Sequence, residues 1–302
     1  MEGAGEALGK HVVRVRRLAG HEGGYSEVIR RVIELADGRS AFIKFGETPQ
    51  LRESLRREIA MYDDLDEPFM LTKLGQVDSD EGVALILENQ EGALWPPPWT
   101  EPRIEAVVEA LEQLRDTLWP ERLVWDGGPA SLVSQPTGWV YIADKPETFL
   151  ALGMVSKSWL TNNIDALVQE ARIDDLQGET LAHLDVRSDN ICFVDGQVRL
   201  IDWSGARLGH RYVDQHYWVS TLHRETGVRR SDLLGADAAS HLGFLAGHYA
   251  RVAAKSVELT EPSARIQRAA DSLHALLPWA CELLGLEPPD GATPTRRQDR
   301  CR

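Results

Sequence analysis

The sequence predicts an α+β protein whose N-terminal part is rich in strands and whose larger C-terminal part is mainly helical. Three observations predict it. Apolar, β-branched runs crowd the first 95 residues around a single helical stretch. The segment Leu94-Trp95-Pro96-Pro97-Pro98-Trp99 then breaks the chain, because three prolines continue neither a strand nor a helix. Beyond it the apolar residues recur mostly at helical spacing, interrupted by one compact β-rich stretch over 181–203.

Taken in order, Val12-Val13-Arg14-Val15 is a short β-rich run. A glycine-dense turn follows, Gly20-His21-Glu22-Gly23-Gly24-Tyr25-Ser26. Residues 28–35 place Ile29, Ile33 and Leu35 on one face at period two. Asp37-Gly38 is a hairpin turn, since glycine tolerates positive φ, and Ala41-Phe42-Ile43-Lys44-Phe45 is the return strand. Residues 51–65 read as a helix and 82–88 as another apolar strand. Past the prolines, helices are expected over 103–118, 164–173, 236–257 and 262–286. The tail, 289–302, is polar and expected to fray.

Composition narrows the function classes. The chain has 302 residues, 33 Lys plus Arg and 47 Asp plus Glu, for a formal net charge of −14. Such an acidic chain is a poor phosphate-backbone binder, so no nucleic-acid partner is expected. No apolar run is long enough for a membrane helix, and the N-terminal residues lack the apolar core of a signal peptide. The three cysteines, Cys192, Cys281 and Cys301, form neither a metal motif nor a disulfide framework, which fits a reducing, cytoplasmic setting.

The segment that carries chemistry runs from Leu181 to Trp203. Asp195-Gly196 is a two-residue hairpin signal between apolar strands. Folding the chain there sets Val194 opposite Gln197, Ile191 opposite Leu200 and Asn190 opposite Ile201. Asn190 and Asp202 then emerge at the same open end, and Asp185 lies five residues upstream in the loop feeding it. Three polar side chains able to bind metal or move protons converge, as a divalent cation between phosphate groups requires. The competing reading is a plain surface hairpin with polar ends.

This segment resembles the kinase-like aminoglycoside phosphotransferase family, whose His-Gly-Asp, four residues, Asn pattern is followed by Ile-Asp-Trp. His183-Leu184-Asp185, Asn190 and Ile201-Asp202-Trp203 carry the resemblance, with Leu184 standing where the family has glycine. It implies a bilobal protein-kinase-like fold: a small antiparallel-sheet lobe and a larger helical lobe. It also implies ATP (or GTP) and Mg²⁺ as cofactors, Asp185 as catalytic base, and Asn190 and Asp202 as metal ligands.

A kinase-like small lobe needs a strand lysine on the phosphates and a helix glutamate to fix it. Lys44 sits in its strand on the face opposite Ile43 and Phe45. The helix stripe of Leu51, Leu55, Tyr62 and Leu65 has Glu58 in its middle, whereas Glu53 lies off it. An inward carboxylate needs a cation, and Lys44 is the candidate; the alternative is that both charges snorkel to water. Gly23, Gly24 and Ser26 of the glycine turn are candidates to fold over phosphates through backbone N–H groups, although a simple hairpin loop explains them equally. Glu88 and Asn89, with Gln90, would present backbone groups to the base.

Other residues have humbler expectations. Asp214 caps a helix or braces the catalytic loop, and His183 is likewise a brace. His216, His241 and His248 read as ordinary helix residues. Arg187 either screens phosphate charge or pairs with a carboxylate. The Trp95–Trp99 segment is a packed linker or a cleft border, and Cys192 a buried, inert thiol.

The expected organisation is a nucleotide-binding lobe over 1–93, a catalytic and substrate lobe over 94–288, and a flexible tail over 289–302. The expected activity is transfer of a γ-phosphoryl group to a small-molecule hydroxyl, best an antibiotic such as an aminoglycoside or a nucleoside- or sugar-bearing natural product. The rivals are a metabolic kinase for choline, a methylthio-sugar or an amino alcohol, and a catalytically inactive binding module. A monomer or homodimer with no membrane partner is expected.

Overall fold

The computed structural model describes residues 2–17, 28–120, 123, 138–258 and 263–291. The chain divides into two compact units, Met1–Gly128 with Glu179–Asp214, and Pro129–Gly178 with Gln215–Arg302.

In the first unit α1 (Glu2–Ala7) precedes β1 (Val12–Arg17), β2 (Ile29–Leu35) and β3 (Ser40–Gly46). Helix α2 (Pro49–Asp64) follows, then β4 (Lys73–Ser79) and β5 (Gly82–Glu88). The five strands form one antiparallel sheet in the order β1-β2-β3-β5-β4. Gly38, at φ +83°, turns β2 into β3. Thr48 starts α2 by accepting the Leu51 N–H at 3.3 Å, with Pro49 in the first turn.

Strand alternation gives the sheet two different faces. Ile33, Leu35, Ala41, Ile43, Ala84 and Ile86 pack with Ala4 of α1, beside Leu8, Val12, Phe45 and Val77. Val32, Phe42, Lys44, Leu85 and Leu87 have the opposite parity and make the face on which Glu58 of α2 meets Lys44. The strand pattern around Lys44 is therefore as the alternation predicts. Helix α1 and strand β4 were not expected. Strand β4, KLGQVDS, has no apolar run, and its half-exposed pattern is that of a sheet edge.

The first unit also contains α3 (Glu101–Asp116). Short strands β6 (Thr180–Ala182) and β9 (Arg207–Gly209) pair antiparallel, and β7 (Ile191–Val194) and β8 (Gln197–Leu200) form the expected hairpin. Its register is Ile191 to Leu200 and Val194 to Gln197, and the Ile201 N–H donates to the Asn190 carbonyl at 3.0 Å. Asp195 and Gly196 turn it with φ of +51° and +80°. The proline-tryptophan segment is tethered at its start, where Leu94 and Phe193 exchange backbone hydrogen bonds of 3.0 and 2.9 Å beside the Arg103 guanidinium over the Phe193 ring, but only Pro96 is buried, while Leu94, Pro97 and Pro98 are exposed.

The second unit is helical, with α4 (Gly138–Asp144), α5 (Pro146–Leu150), α6 (Lys157–Glu170), most of α7 (Val213–Thr226), α8 (Ala238–Ala254) and α9 (Ala264–Leu283). Helices α4 and α5 were not expected, α7 supplies the helix on which His216 was read without bounds, and α6 begins earlier than its apolar stripe suggests. Trp139, Phe149, Trp218 and Trp279 are fully buried. His216 and His241, expected to be ordinary helix residues, instead meet through their Nδ1 atoms at 2.8 Å. The Gly235 N–H donates to His216 Nε2 at 3.1 Å, so the His216 proton sits on Nδ1 and is given to His241. His241 then donates from Nε2 to the Asp175 carbonyl at 2.8 Å, which leaves two neutral, satisfied rings. Cys192 and Cys281 are buried thiols in no disulfide. Among the described residues no helix is long and apolar enough to cross a membrane.

Helices α4 and α8 approach so closely that a Cβ on Gly138 would lie 1.8 Å from the Gly247 carbonyl oxygen. Trp139 locks the crossing by donating from Nε1 to the Gly243 carbonyl at 2.8 Å. Since backbone cannot yield as a side chain can, Gly138→Ala is expected to lower stability by on the order of 3 kcal/mol. A urea midpoint unchanged from wild type would show that this crossing is not tight in solution.

Candidate active site

Local chain geometry gathers the polar residues in the first unit. The loop from His183 to Asn190 leaves β6 and enters β7 through a short turn, 188–190. Its backbone is fixed by Asp214, whose carboxylate accepts the His183 N–H and the Leu184 N–H, each at 2.7 Å. Leu184 has φ +61°, the left-handed conformation in which glycine is favoured. The leucine costs about 1 kcal/mol there, and the two Asp214 bonds hold the loop in place against it.

His183 is a brace of the same kind. The Asp185 N–H donates to its Nδ1 at 3.3 Å, so its proton is on Nε2 and goes to the Ile201 carbonyl at 3.0 Å. The ring stacks obliquely on Trp203, 4.5 Å between centroids, and Trp203 donates to the Leu200 carbonyl. Burial drives the His183 imidazolium down to about 4, so the ring is neutral at ordinary pH.

This bracing brings the sequence-selected groups together. Asn190 donates through Nδ2 to the Asp185 carboxylate at 2.8 Å and to its backbone carbonyl at 2.9 Å. Lys44 Nζ lies 2.7 and 3.0 Å from the Glu58 oxygens and 3.5 Å from Asp202 Oδ1. Lys44 is 3% exposed and Glu58 1%, so neither charge snorkels to water. Asp202 turns the chain at φ +70° immediately after β8. Lys44, Glu58, Asp185, Asn190 and Asp202 all line one cavity of about 570 Å³.

The electrostatics follow from this arrangement. Burial pulls the Lys44 ammonium down, but the carboxylates of Asp202 and Glu58 outweigh it and hold the lysine charged. Lys44 in turn keeps Asp202 below the usual carboxylate range despite burial. Burial pushes Asp185 up to about 7, opposed by the Arg187 guanidinium, whose Nε lies 3.1 Å away. Its side chain keeps 43% of its surface exposed, and water there relieves part of that rise. Of the two roles open to Arg187, the structure shows carboxylate pairing, with Asp185 and with Asp189 at 3.2 Å.

The remaining candidates fall differently. Asn89, Gln90 and Trp95 line the cavity. The Glu88 carboxylate accepts the Thr72 N–H at 3.0 Å, and its carbonyl accepts from the Gln90 side chain at 3.2 Å. Gly23, Gly24 and Ser26 lie outside the described residues. Sequence reading missed the apolar walls, Val32, Phe42, Leu71, Leu87 and Ile201. The parity of Lys44 along β3 and its cross-strand partners would have found Val32, Phe42 and Leu87.

The donor chemistry suits a hard cation. Asn190 spends its Nδ2 on Asp185, which turns its Oδ1 the other way, and Asp202 is kept ionised. Two such oxygens, completed by phosphate and water, are what Mg²⁺ takes, and the apolar walls of the cavity suit a flat base.

No family profile matches the sequence, and no curated protein matches it. Solved structures do match. An aminoglycoside phosphotransferase from Alicyclobacillus acidocaldarius aligns with a TM-score of 0.57 at 14% identity, over 93% of each chain. The fold is that of the aminoglycoside phosphotransferases and related small-molecule kinases. An ethanolamine kinase from Plasmodium vivax aligns with a TM-score of 0.57 at 13% identity, over 89% of this chain and 84% of its own. An amicoumacin kinase in complex with AMP-PNP, Ca²⁺ and Ami has a TM-score of 0.53 at 12% identity, covering 95% of this chain and 92% of its own. The aminoglycoside phosphotransferase fold thus spans antibiotic and amino-alcohol kinases, and it does not choose between those acceptors.

The depressed His183 imidazole links this loop to stability. Its folded-state value, about 4, lies below the ordinary 6.5, so its contribution is complete above pH 6.5 and is lost as pH falls toward 4. At full expression the loss is on the order of 3 kcal/mol. Urea titrations between pH 7.5 and 4.5 should show wild type losing stability more steeply than His183→Gln. Parallel slopes for the two proteins would remove the imidazole from this role.

Proposed function

We propose that this protein is an ATP- or GTP-dependent phosphotransferase that moves the γ-phosphoryl group to a hydroxyl of a small molecule. The observation carrying this reading is the convergence of a buried Lys44–Glu58 pair, Asp202, Asn190 and Asp185 on one cavity. The shared fold of small-molecule kinases supports it.

The chain's own residues divide the work. Lys44, kept charged and immobile by Glu58, binds phosphate oxygens in the cavity. Asn190 Oδ1 and Asp202 would hold the divalent cation. When bound, the magnesium-nucleotide supplies the transferable phosphoryl group and neutralises its growing charge. Asp185 Oδ2 is fixed by the Asn190 amide, so the carboxylate orients the acceptor hydroxyl and takes its proton. A carboxyl lifted toward neutrality is a better base than an ordinary one, and Arg187 keeps it from rising further. His183 and Asp214 act on substrate only through the loop they brace. Positioning and charge neutralisation supply most of the rate gain.

The best acceptor class is an antibiotic or related natural product, whose phosphorylation would inactivate it. An amino-alcohol kinase is the second reading, favoured by the likeness to an ethanolamine kinase. An inactive binding module is disfavoured, because the lysine, its glutamate, the candidate base and both candidate metal ligands are all intact. Incubation with Mg²⁺ and ATP or GTP against a panel of aminoglycosides, macrolides, nucleoside antibiotics, choline and ethanolamine tests the reading. The expected result is one acceptor gaining a single phosphate by mass. Nucleotide binding with no acceptor modified would favour the binding module.

Asp185→Asn keeps the Asn190 contact in size but removes the base. Turnover is expected to drop by about 10³-fold, in the range general bases contribute. Nucleotide affinity by calorimetry should stay within a few-fold of wild type. Retained turnover would take Asp185 out of its role. Chelation of divalent cations should abolish turnover reversibly, with recovery on adding Mg²⁺.

A further inference from the structure

In the segment that leaves β5, three backbone groups are already engaged. The Glu88 N–H donates to the Thr72 carbonyl at 2.9 Å. The Gln90 carbonyl accepts the Ala93 N–H at 3.0 Å, closing a turn in which Gly92 has φ +93°. The Glu88 carbonyl accepts the Gln90 side-chain amide at 3.2 Å. The Gln90 side chain therefore stands where a bare backbone carbonyl would otherwise meet a ligand. Gln90 lines the same cavity as Leu71, Leu87 and Ile201. An uncharged polar group among apolar side chains suits a flat heterocycle, whereas Lys44, Asn190 and Asp202 suit its phosphates.

Chemistry fixes which way round the Gln90 amide lies. A carbonyl only accepts, so the end of Gln90 that meets Glu88 must be Nε2. Oε1 then faces the buried Cys192 thiol, which donates to it weakly at 3.8 Å. Turning the amide over would set two carbonyl oxygens against each other. Nε2 carries a second N–H, and among the described residues none accepts it.

A donor held in this way distinguishes the purines. Guanine has two acceptors side by side, O6 and N7, whereas adenine has the N7 acceptor beside the N6 amine, a donor. The Gln90 N–H meets an acceptor at either position of guanine. At the 6-position of adenine it meets another N–H, and both donors lose water without gaining a bond.

We propose that the Gln90 side chain reads the nucleobase and gives this protein a preference for guanosine over adenosine nucleotides. This rests on the nucleotide-dependent reading above and chooses between the two nucleotides named there. Gln90 is then a specificity residue: it contributes to guanine binding and little to adenine binding.

The test is calorimetric titration of wild type and Gln90→Met with GMP-PNP and with AMP-PNP, each with Mg²⁺. Methionine keeps the length of the side chain and removes its donor. Wild type should bind GMP-PNP at least about 10-fold more tightly than AMP-PNP, within the range of one good base contact. In Gln90→Met the GMP-PNP affinity should fall by about that factor and AMP-PNP should stay within about two-fold of wild type, so that the preference collapses. The retained AMP-PNP affinity shows that the variant cavity is folded. A wild type that binds the two analogues equally, or favours AMP-PNP, would overturn the proposal while leaving the nucleotide reading standing. A preference that survives in Gln90→Met, or an equal loss of both analogues, would overturn it in the same way. A wild-type protein that binds neither analogue would overturn both readings.

Discussion

A lysine and a glutamate buried together, with an aspartate at hand, constrain the rest of this site. Lys44 and Glu58 sit 2.7 Å apart with almost no solvent contact, and Asp202 approaches the same ammonium at 3.5 Å. Removing two charges from water is expensive, so such a pair is a poor source of stability when compared with well-packed apolar residues. Removing one partner alone would be worse, costing about 3–5 kcal/mol, because the other charge would be stranded. The pair therefore ties α2 to β3 in one arrangement. It also sets a cation at a fixed point of the cavity, beside the carboxylate that ends the β7–β8 hairpin.

The loop residues of the cavity depend on backbone rather than on burial of charge. Leu184 and Asp202 both adopt left-handed conformations that side chains disfavour. Asp214 secures the first by accepting two backbone N–H groups, and His183 ties the loop to Ile201. Burial pushes the Asp214 carboxyl up to about 6 even though those two N–H donors favour its ionised form. Local strain is thus balanced by hydrogen bonds to residues 18 to 31 positions away in the chain, and the result is an Asp185 carboxylate that lines the cavity with its orientation set by Asn190.

How much of this was legible varied with how local the information was. The β7–β8 hairpin and its register were readable because Asp195-Gly196 specifies the turn and the strands are four residues each. The inward glutamate was readable because Glu58 interrupts an apolar stripe. Strand β4 was not, since an edge strand needs little burial and its sequence, KLGQVDS, has no apolar run. Helices α4 and α5 are seven and five residues long, too short for a period to register. The pairing of His216 with His241 was invisible because 25 residues separate them and nothing in either helix marks the contact. Leu184 was seen as a departure from a glycine position, but only its φ of +61° gives the reason that glycine fits there.

By itself the sequence determined the faces: which residues alternate along β3, which carboxylate interrupts the α2 stripe, and which polar groups leave one end of a two-residue hairpin. Those are consequences of periods of 2 and 3.6 and of a turn that needs positive φ, all of which act over a few residues. Only the tertiary structure decided which groups meet. The Lys44–Glu58 distance and the Asp214 grip on the loop depend on strand register and helix docking. Those are set by the packing of many side chains at once, and no local period encodes them.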